Sequence, residues 1–186
     1  ITSDNGKYKV MGENPDNFPK EPAPDESSSF SMTSAQLLNA INKSIFAVST
    51  DDLRPAMTGV FFELDKKSIS FVATDAHRLV KLVYSNVSCP EKSTFIVPKK
   101  PLNLLKSSLP DNEDELTISY NSNHLFVKHG GTELVCRLID ARFPDYKVVI
   151  PSDNPYKMTV NRSAFQNALR RVSVFSNKST NQVALS

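Results

Sequence analysis

The feature of this sequence that most constrains its fold is an internal repeat of predicted elements. An extended run at Ser29–Thr33 precedes helical spacing of apolar residues over Ser34–Val48, with Ser34 as the predicted N-cap. After three strand-like runs, the same order returns with Thr94–Val97 and a helix over Lys100–Leu109. The strand-like runs are Gly59–Leu64, Ile69–Thr74 and Leu79–Tyr84, and then Leu116–Tyr120, His124–Lys128 and Glu133–Leu138. The pattern predicts an α+β fold of two strand–helix–three-strand units, each about 60 residues long.

A second, longer repeat predicts how the chain is divided into domains. The stretch "SMTSAQLLNAINKSIFAVST" near Ser31 resembles "KMTVNRSAFQNALRRVSVFSNKST" near Lys157, at an offset of about 125 residues. Residues 15–29 are rich in Pro, Ser and acids, which is typical of a linker. We therefore expect residues 1–26 to be the tail of one domain plus this linker. Residues 27–154 would form a complete domain, and residues 155–186 the start of a third.

Positive charge is concentrated on the three helical stretches. Phe30–Thr50, Ile96–Leu109 and Met158–Lys178 contain none of the chain's 20 acidic residues. Their basic residues are Lys43, Lys99, Lys100, Lys106, Arg162, Arg170, Arg171 and Lys178. Because the net charge is only +2, this segregation says more than the total does. A helical face of one sign is typical of contact with a polyanion such as a phosphate backbone, and ordinary solvated helix faces are the alternative.

Composition excludes several other classes of protein. The mean hydropathy is −0.31, and no apolar run approaches the ~18 residues that a transmembrane helix needs. Cys89 and Cys136 lie far apart in no CxxC pattern, and His124 and His129 have no further ligands beside them. We therefore expect no metal, no cofactor and a reducing, cytoplasmic location.

Several separate stretches resemble one known family. "FVATDAHRLVKL" (Phe71–Leu82) and "RLIDARFPDYKVVIP" (Arg137–Pro151) closely resemble signature stretches of bacterial sliding clamps, the beta subunit of DNA polymerase III. Further blocks in family order are "RPAMTGVFFEL" (Arg54–Leu64), "IVPKKPLNLL" (Ile96–Leu105) and "RVSVFSNKSTNQVAL" (Arg171–Leu185). The resemblance covers nearly the whole chain, which makes it far more specific than one short motif.

The resemblance implies a DNA clamp fold, with helices on one face of antiparallel sheets. A full protein would carry three similar domains, and two chains would close into a homodimeric ring around double-stranded DNA. It would hold the replicative polymerase on DNA without sequence specificity, and it would have no polymerase chemistry of its own. The clamp loader and repair proteins would dock on it through short linear peptides.

The resemblance also implies two sets of site residues. The DNA-contacting residues would be Lys99, Lys100, Arg54, Lys43 and Lys106. The peptide pocket would be formed by Thr74, Ala76, His77, Arg78, Leu79, Met57, Pro144, Val148 and Val149. Two of these depart from the family pattern, because Ala76 stands where Gly is common and Val148 where a basic residue is common. The pocket's other wall belongs to the third domain, so we expect weak peptide binding by this stretch alone.

The cluster Asp75–Arg78 also has competing interpretations. Asp75 is expected to accept backbone hydrogen bonds within a turn, a common use of Asp. An enzyme using Asp75, His77 and Arg78 is disfavoured, because no nucleophile or second acid stands nearby in the sequence. Phe143 and Tyr146 are expected to be packing anchors. The remaining alternative function is a repeat-built protein-interaction scaffold without a DNA role.

Overall fold

The computed structural model of the chain describes residues 1–18, 20, 22–24, 27–85, 87–178 and 182–185. The chain divides into two compact units, residues 1–144 (unit 1) and residues 145–186 (unit 2). The predicted linker, residues 15–29, and the family block that ends at Leu185 each lie partly outside the described residues. Among the described linker residues, Pro15–Asn17 form a 3-10 turn.

The elements of unit 1 follow the predicted order. The strands are β1 Thr2–Ser3, β2 Gly6–Lys7, β3 Ser28–Thr33, β4 Gly59–Asp65, β5 Ser68–Thr74, β6 Leu79–Ser85, β7 Ser93–Pro98, β8 Glu115–Tyr120, β9 His124–His129 and β10 Thr132–Arg137, and the helices are α1 Ser34–Ser44 and α2 Lys99–Ser108. Every predicted strand is confirmed, with each bound within one residue of the expected position. The α+β class and the antiparallel sheets are confirmed as well.

The two repeat units exchange their first strands. One four-stranded sheet has the order β10–β9–β8–β3, and the other has the order β6–β5–β4–β7, with every pairing antiparallel. The leading strand β3 of the first unit therefore pairs with the three-stranded meander of the second unit. The leading strand β7 of the second unit pairs with the meander of the first. Neither unit completes a sheet alone, which ties the two halves into one domain.

Helix α1 differs from its prediction at both ends. The N-cap is Thr33 rather than Ser34: the Gln36 amide N–H donates to Thr33 Oγ1 (3.2 Å), and the Thr33 N–H donates to Gln36 Oε1 (3.0 Å). The Ser34 hydroxyl is buried and donates to the Pro110 carbonyl instead. The α-helix ends at Ser44 and continues as a 3-10 turn over Ile45–Ala47. Because the residue spacing per turn tightens there, the apolar stripe predicted to run on to Phe46 does not bury that residue.

An apolar core joins the two four-stranded sheets and the helices α1 and α2. The Phe62 ring lies 4.6 Å from the Phe71 ring and 5.3 Å from the Phe95 ring, so β4, β5 and β7 meet in one aromatic cluster. Leu37 of α1 and Leu102 of α2 are fully buried in the same core. Burying side chains of this size stabilises a fold by roughly 1.5–3 kcal/mol each. The two helices also pack against each other, which places them side by side.

Unit 2 contains a short turn and one helix among its described residues. Tyr146–Val149 form a 3-10 helix, and its N-cap Asp145 accepts a hydrogen bond from the Lys147 N–H (3.2 Å). Helix α3 spans Arg162–Ser173, and its N-cap Asn161 accepts a hydrogen bond from the Ala164 N–H (3.0 Å). Its charged residues are basic only. The predicted domain bounds at residues 26 and 154 remain predictions.

Candidate functional site

The turn between β5 and β6, Asp75–Arg78 (the β5–β6 turn), is built around one carboxylate. Asp75 Oδ1 accepts hydrogen bonds from the His77 N–H (3.1 Å) and the Arg78 N–H (3.0 Å). Asp75 Oδ2 pairs with Arg78 Nε at 2.8 Å. The predicted role of Asp75 as a backbone acceptor is therefore confirmed, and the ion pair is an additional contact. Both oxygens hold the turn in one conformation.

The strand ends add two more hydrogen bonds to this turn. The buried Thr74 hydroxyl donates to the Arg78 carbonyl (2.9 Å) and accepts from the Ala76 N–H (3.2 Å). Ala76 has φ of 73°, and among the described residues it is the only non-glycine with a positive φ. A left-handed alanine is strained by contact between Cβ and its own backbone. Position 76, where Gly is common in the family that the sequence resembles, thus has the backbone conformation that favours glycine, although the residue here is Ala.

The exposed side of the turn presents His77 and Arg78. Both residues are exposed, whereas Leu79 is half-buried at the start of β6. The pKa of Asp75 lies below its ordinary value: burial acts to raise it, but the N–H groups of Arg78 and His77 and the Arg78 guanidinium together outweigh burial. The carboxylate is therefore charged at neutral pH and keeps the Arg78 head in place.

An aromatic ring that the sequence did not predict for this site lies beside Arg78. The Arg78 guanidinium carbon lies 5.6 Å from the centroid of the Phe46 ring, within the range of a cation–π contact. Phe46 is 52% exposed, while its neighbours Ile45 and Ala47 are buried. The helical spacing of the sequence places Phe46 in the core, so no signal in the sequence identifies it as a surface residue.

The other residues predicted for the peptide pocket have less distinctive surroundings. Met57 ends a 3-10 turn over Pro55–Met57, and its carbonyl accepts a hydrogen bond from the Ser49 N–H (2.9 Å). Pro144 is half-buried at the end of unit 1. Val148 and Val149 belong to unit 2, where both are exposed. Their part in one pocket with the β5–β6 turn stays a prediction.

Phe143 and Tyr146 are buried, as expected of packing anchors, and the Phe143 ring stacks on Phe61 at 4.5 Å.

Four of the five residues predicted to contact DNA are lysines on the two adjacent helices. Lys43 lies in the last turn of α1, Lys99 and Lys100 open α2, and Lys106 lies in its last turn. Lys99 is half-buried and the other three are exposed. Among the described residues, none of the four forms an ion pair with a carboxylate. The helix pair therefore carries positive charge without a fixed partner.

The fifth residue, Arg54, differs from the lysines. It lies in the loop before β4, and its Nε pairs with Asp51 Oδ2 at 2.9 Å. Asp51 Oδ1 also accepts a hydrogen bond from the Leu53 N–H (3.0 Å). The guanidinium of Arg54 holds the pKa of Asp51 below its ordinary value, with help from that N–H group. The charge of Arg54 is thus shared with an acid, and its predicted contact with DNA stays a prediction.

The structure shows the surroundings of the histidines that could serve catalysis or metal binding. The His77 backbone N–H belongs to the β5–β6 turn. His129 Nε2 lies 3.7 Å from Asp114 Oδ2, at the end of β9. Within the described residues, no cluster of three His, Cys, Asp or Glu side chains could hold a metal ion. Of the helices in the described ranges, none has the length and apolar character needed to cross a membrane.

Comparison with known proteins decides the family. The family model described as "DNA polymerase III beta subunit, central domain" matches residues 31–145. The chain belongs to the DNA polymerase III beta subunit family. It is 31% identical over 185 residues to the "Beta sliding clamp" of Staphylococcus aureus (strain Mu50), covering 98% of this chain and 48% of that protein. It is 32% identical over 186 residues to the "Beta sliding clamp" of Halalkalibacterium halodurans, covering 98% and 49%. The chain thus spans about half the length of the beta subunits it matches.

Solved structures of beta subunits have the same fold. The DNA polymerase sliding clamp of Bacillus subtilis superposes with a TM-score of 0.82 at 29% identity, over 88% of this chain and 43% of that one. The beta subunit of Thermotoga maritima gives a TM-score of 0.75 at 28% identity, over 86% and 43%. The sliding clamp of Pseudomonas aeruginosa bound to griselimycin gives 0.81 at 25% identity, over 89% and 45%. The predicted DNA clamp fold is confirmed.

Proposed function

We propose that this chain is part of a sliding clamp, the processivity factor that keeps a replicative DNA polymerase on duplex DNA. The observation that carries the proposal is the pair of adjacent helices with four lysines free of acidic partners among the described residues, within a beta-subunit fold. A whole clamp would close as a homodimeric ring of three such domains per chain. The role is non-catalytic and cytoplasmic, and its partners are DNA, the polymerase, the clamp loader and repair proteins.

The four helix lysines suit a protein that slides. A lysine ammonium is a point charge on a flexible stem, so it follows phosphates without demanding one geometry. Contacts to phosphate position a protein on DNA but carry no sequence information. Fixed, directional contacts would instead hold the ring at one place. Weak contacts of this kind are sufficient when the closed ring itself prevents dissociation.

We further propose that the β5–β6 turn, with Thr74 and Leu79 at its ends, is a docking wall for an extended partner peptide. A wall with a fixed backbone loses little conformational entropy when a peptide binds, which favours affinity. Half-buried Leu79 offers apolar surface, and His77 and Arg78 offer polar anchors. Met57, Pro144, Val148 and Val149 are proposed to extend this wall.

Retention on closed DNA tests the proposed clamp role. Full-length protein should stay on circular duplex DNA at about 150 mM salt, after loading by clamp loader and ATP, and should slide off when the circle is cut. Equal loss from circular and linearised DNA would contradict a ring, and no association at any salt would favour the scaffold alternative.

Charge replacement on the helices tests the proposed DNA contact. In the double variant Lys100→Gln/Lys106→Gln, the slope of log affinity against log salt should fall by about 0.9 for each lysine that contacts a phosphate. The matched control is Lys66→Gln/Lys67→Gln, which removes two exposed lysines between β4 and β5. Equal slopes in the two double variants would show that the helices have no special part in DNA binding.

Peptide titration tests the docking wall separately. Binding of a labelled extended peptide with alternating apolar residues should saturate, and His77→Ala or Arg78→Ala should weaken it. Unchanged affinity in both variants would remove the β5–β6 turn from the docking site, while leaving the DNA role intact.

A further inference from the structure

We propose that Phe46 is a specificity-determining residue of the docking wall: its ring orients the Arg78 guanidinium so that the free Nη groups bind a carboxylate of an extended acidic peptide. The inference rests on the proposed docking role of the β5–β6 turn. It adds to that role the chemical class of the partner and a residue outside the predicted set of pocket residues.

Arg78 is held on two sides. Its Nε is fixed by Asp75 Oδ2 at 2.8 Å, and the Phe46 ring lies 5.6 Å from its guanidinium carbon. The first contact anchors the head at one edge, and the second restricts rotation of the guanidinium plane about that anchor. An arginine side chain otherwise has a large rotamer entropy to lose on binding. Phe46 and Asp75 thus act as positioning residues for Arg78.

The contacts of Arg78 leave its binding groups available. A guanidinium has five N–H donors, and only the Nε donor is used by Asp75. Among the described residues, the Nη groups of Arg78 have no hydrogen-bond partner, and its side chain is 57% exposed. A carboxylate can accept two parallel hydrogen bonds from such groups. The Nη edge of Arg78 is therefore a free site for one acidic side chain.

The hydrogen-bond donors left unused on the turn favour an acidic partner over a basic one. Asp75 is the only acid of the turn, and the Arg78 guanidinium and two backbone N–H groups engage its two oxygens. The exposed polar side chains of the turn are then His77 and Arg78. The exposed part of the Phe46 ring gives apolar surface beside this positive group. An extended peptide with an acid next to an apolar residue complements both features.

The test compares two peptides on the full-length protein. Both are labelled extended peptides with alternating apolar and polar positions, and they differ only in having Asp or Asn at one polar position. A small series of such pairs places the Asp or Asn at each polar position in turn. Wild-type protein should prefer the Asp peptide at one position. Phe46→Leu should reduce this preference by about two- to fivefold, because it keeps apolar bulk but loses the ring face. Phe46→Tyr should restore the preference.

Controls separate positioning from stability and from the docking role itself. Phe18→Leu removes another exposed ring, 82% exposed, and should leave the preference unchanged. Affinity for the Asn peptide should be the same in wild type and Phe46→Leu. If the substitution had instead unfolded the docking wall, affinity for both peptides would fall. An unchanged Asp preference in Phe46→Leu would overturn this inference while leaving the docking wall standing. Failure of every peptide to bind wild type would overturn both this inference and the proposed docking wall. The clamp role would still be tested by the retention of protein on circular DNA.

Discussion

Two turns in unit 1 have the same four-residue pattern but differ in the contacts that hold them. Asp51–Arg54 and Asp75–Arg78 both have an Asp three residues before an Arg, and both form the same ion pair, at 2.9 Å and 2.8 Å. In each turn, Oδ1 of the Asp accepts a backbone N–H. The second turn adds a second N–H on Asp75, a left-handed residue and an aromatic ring over the arginine.

The difference shows what the second turn gains beyond an ion pair. An exposed pair of this kind contributes little to stability on its own, because water screens the two charges. The Asp51–Arg54 turn adds to that pair one backbone N–H group, which donates to Asp51 Oδ1. The Asp75–Arg78 turn closes a hairpin between β5 and β6, where the extra contacts fix both backbone and guanidinium. In the same pattern, the Arg54 guanidinium therefore contacts one acid, whereas the Arg78 guanidinium contacts an acid and an aromatic ring.

The largest expected effect that separates the two turns is the loss of each acid. Asp75→Ala should lower the free energy of unfolding by about 2 kcal/mol, because it leaves two turn N–H groups and a guanidinium without their acceptor. Asp51→Ala should cost less, because it frees a single N–H group in a more exposed loop. Denaturant unfolding measures both. Asp75→Asn is the control, since it keeps an acceptor at Oδ1, and a cost as large as that of Asp75→Ala would refute this account.

A smaller effect is expected from relief of backbone strain. Ala76→Gly should raise the free energy of unfolding by about 1 kcal/mol, because glycine adopts a φ of 73° without strain at Cβ. The control is Ala141→Gly, at a loop position outside the left-handed region, which should lose about 0.5 kcal/mol through the added freedom of the unfolded chain. Thermal unfolding distinguishes a gain from a loss. If both variants lose stability equally, the left-handed alanine stores no strain.

Much of the fold could be predicted from the sequence, because it depends on local spacing. Alternating and helical patterns predicted the eight strands of the two large sheets and both helices of unit 1. The exchange of β3 and β7 between the two repeats could not be predicted, because spacing along a strand carries no information about its partner. The cap at Thr33 was within reach, since Thr33 and Gln36 form the Ser/Thr-x-x-Glu/Gln pattern of a capping box.

The site was partly within reach of the sequence. The acceptor role of Asp75 follows from Asp chemistry in turns, and the equal spacing of Asp51 and Arg54 carries the same signal for the matching turn. Phe46 was not within reach, because its exposure depends on a change from α-helix to 3-10 helix at Ser44 that continuous helical spacing does not reveal. The contact between its ring and Arg78 joins residues far apart in the sequence.

The finest distinction between the turns lies in what lowers each carboxylate's pKa. Asp51 and Asp75 should both titrate with a pKa below the ordinary value of 3.8. Since the folded pKa is lowered, each carboxylate contributes stability above its unfolded pKa, and this is lost as the pH falls through the folded value. For Asp51 the Arg54 side chain is the largest cause of the lowered pKa. For Asp75 burial acts in the opposite direction, and the backbone N–H groups of Arg78 and His77 precede the guanidinium among the causes that lower the pKa.

Removing each guanidinium should therefore have unequal effects. Arg54→Gln should return the pKa of Asp51 most of the way to its ordinary value, because the largest cause of the lowered pKa is removed. The return should be incomplete, because one backbone N–H group still donates to the carboxylate. Arg78→Gln should raise the pKa of Asp75 only in part, because two backbone N–H groups still stabilise the charged form. Carbon-detected NMR titration of the carboxyl groups measures both values in each variant. Equal rises would mean that the pKa of Asp75 depends on its arginine as much as that of Asp51 does. They would contradict the larger part assigned to the backbone N–H groups of the β5–β6 turn.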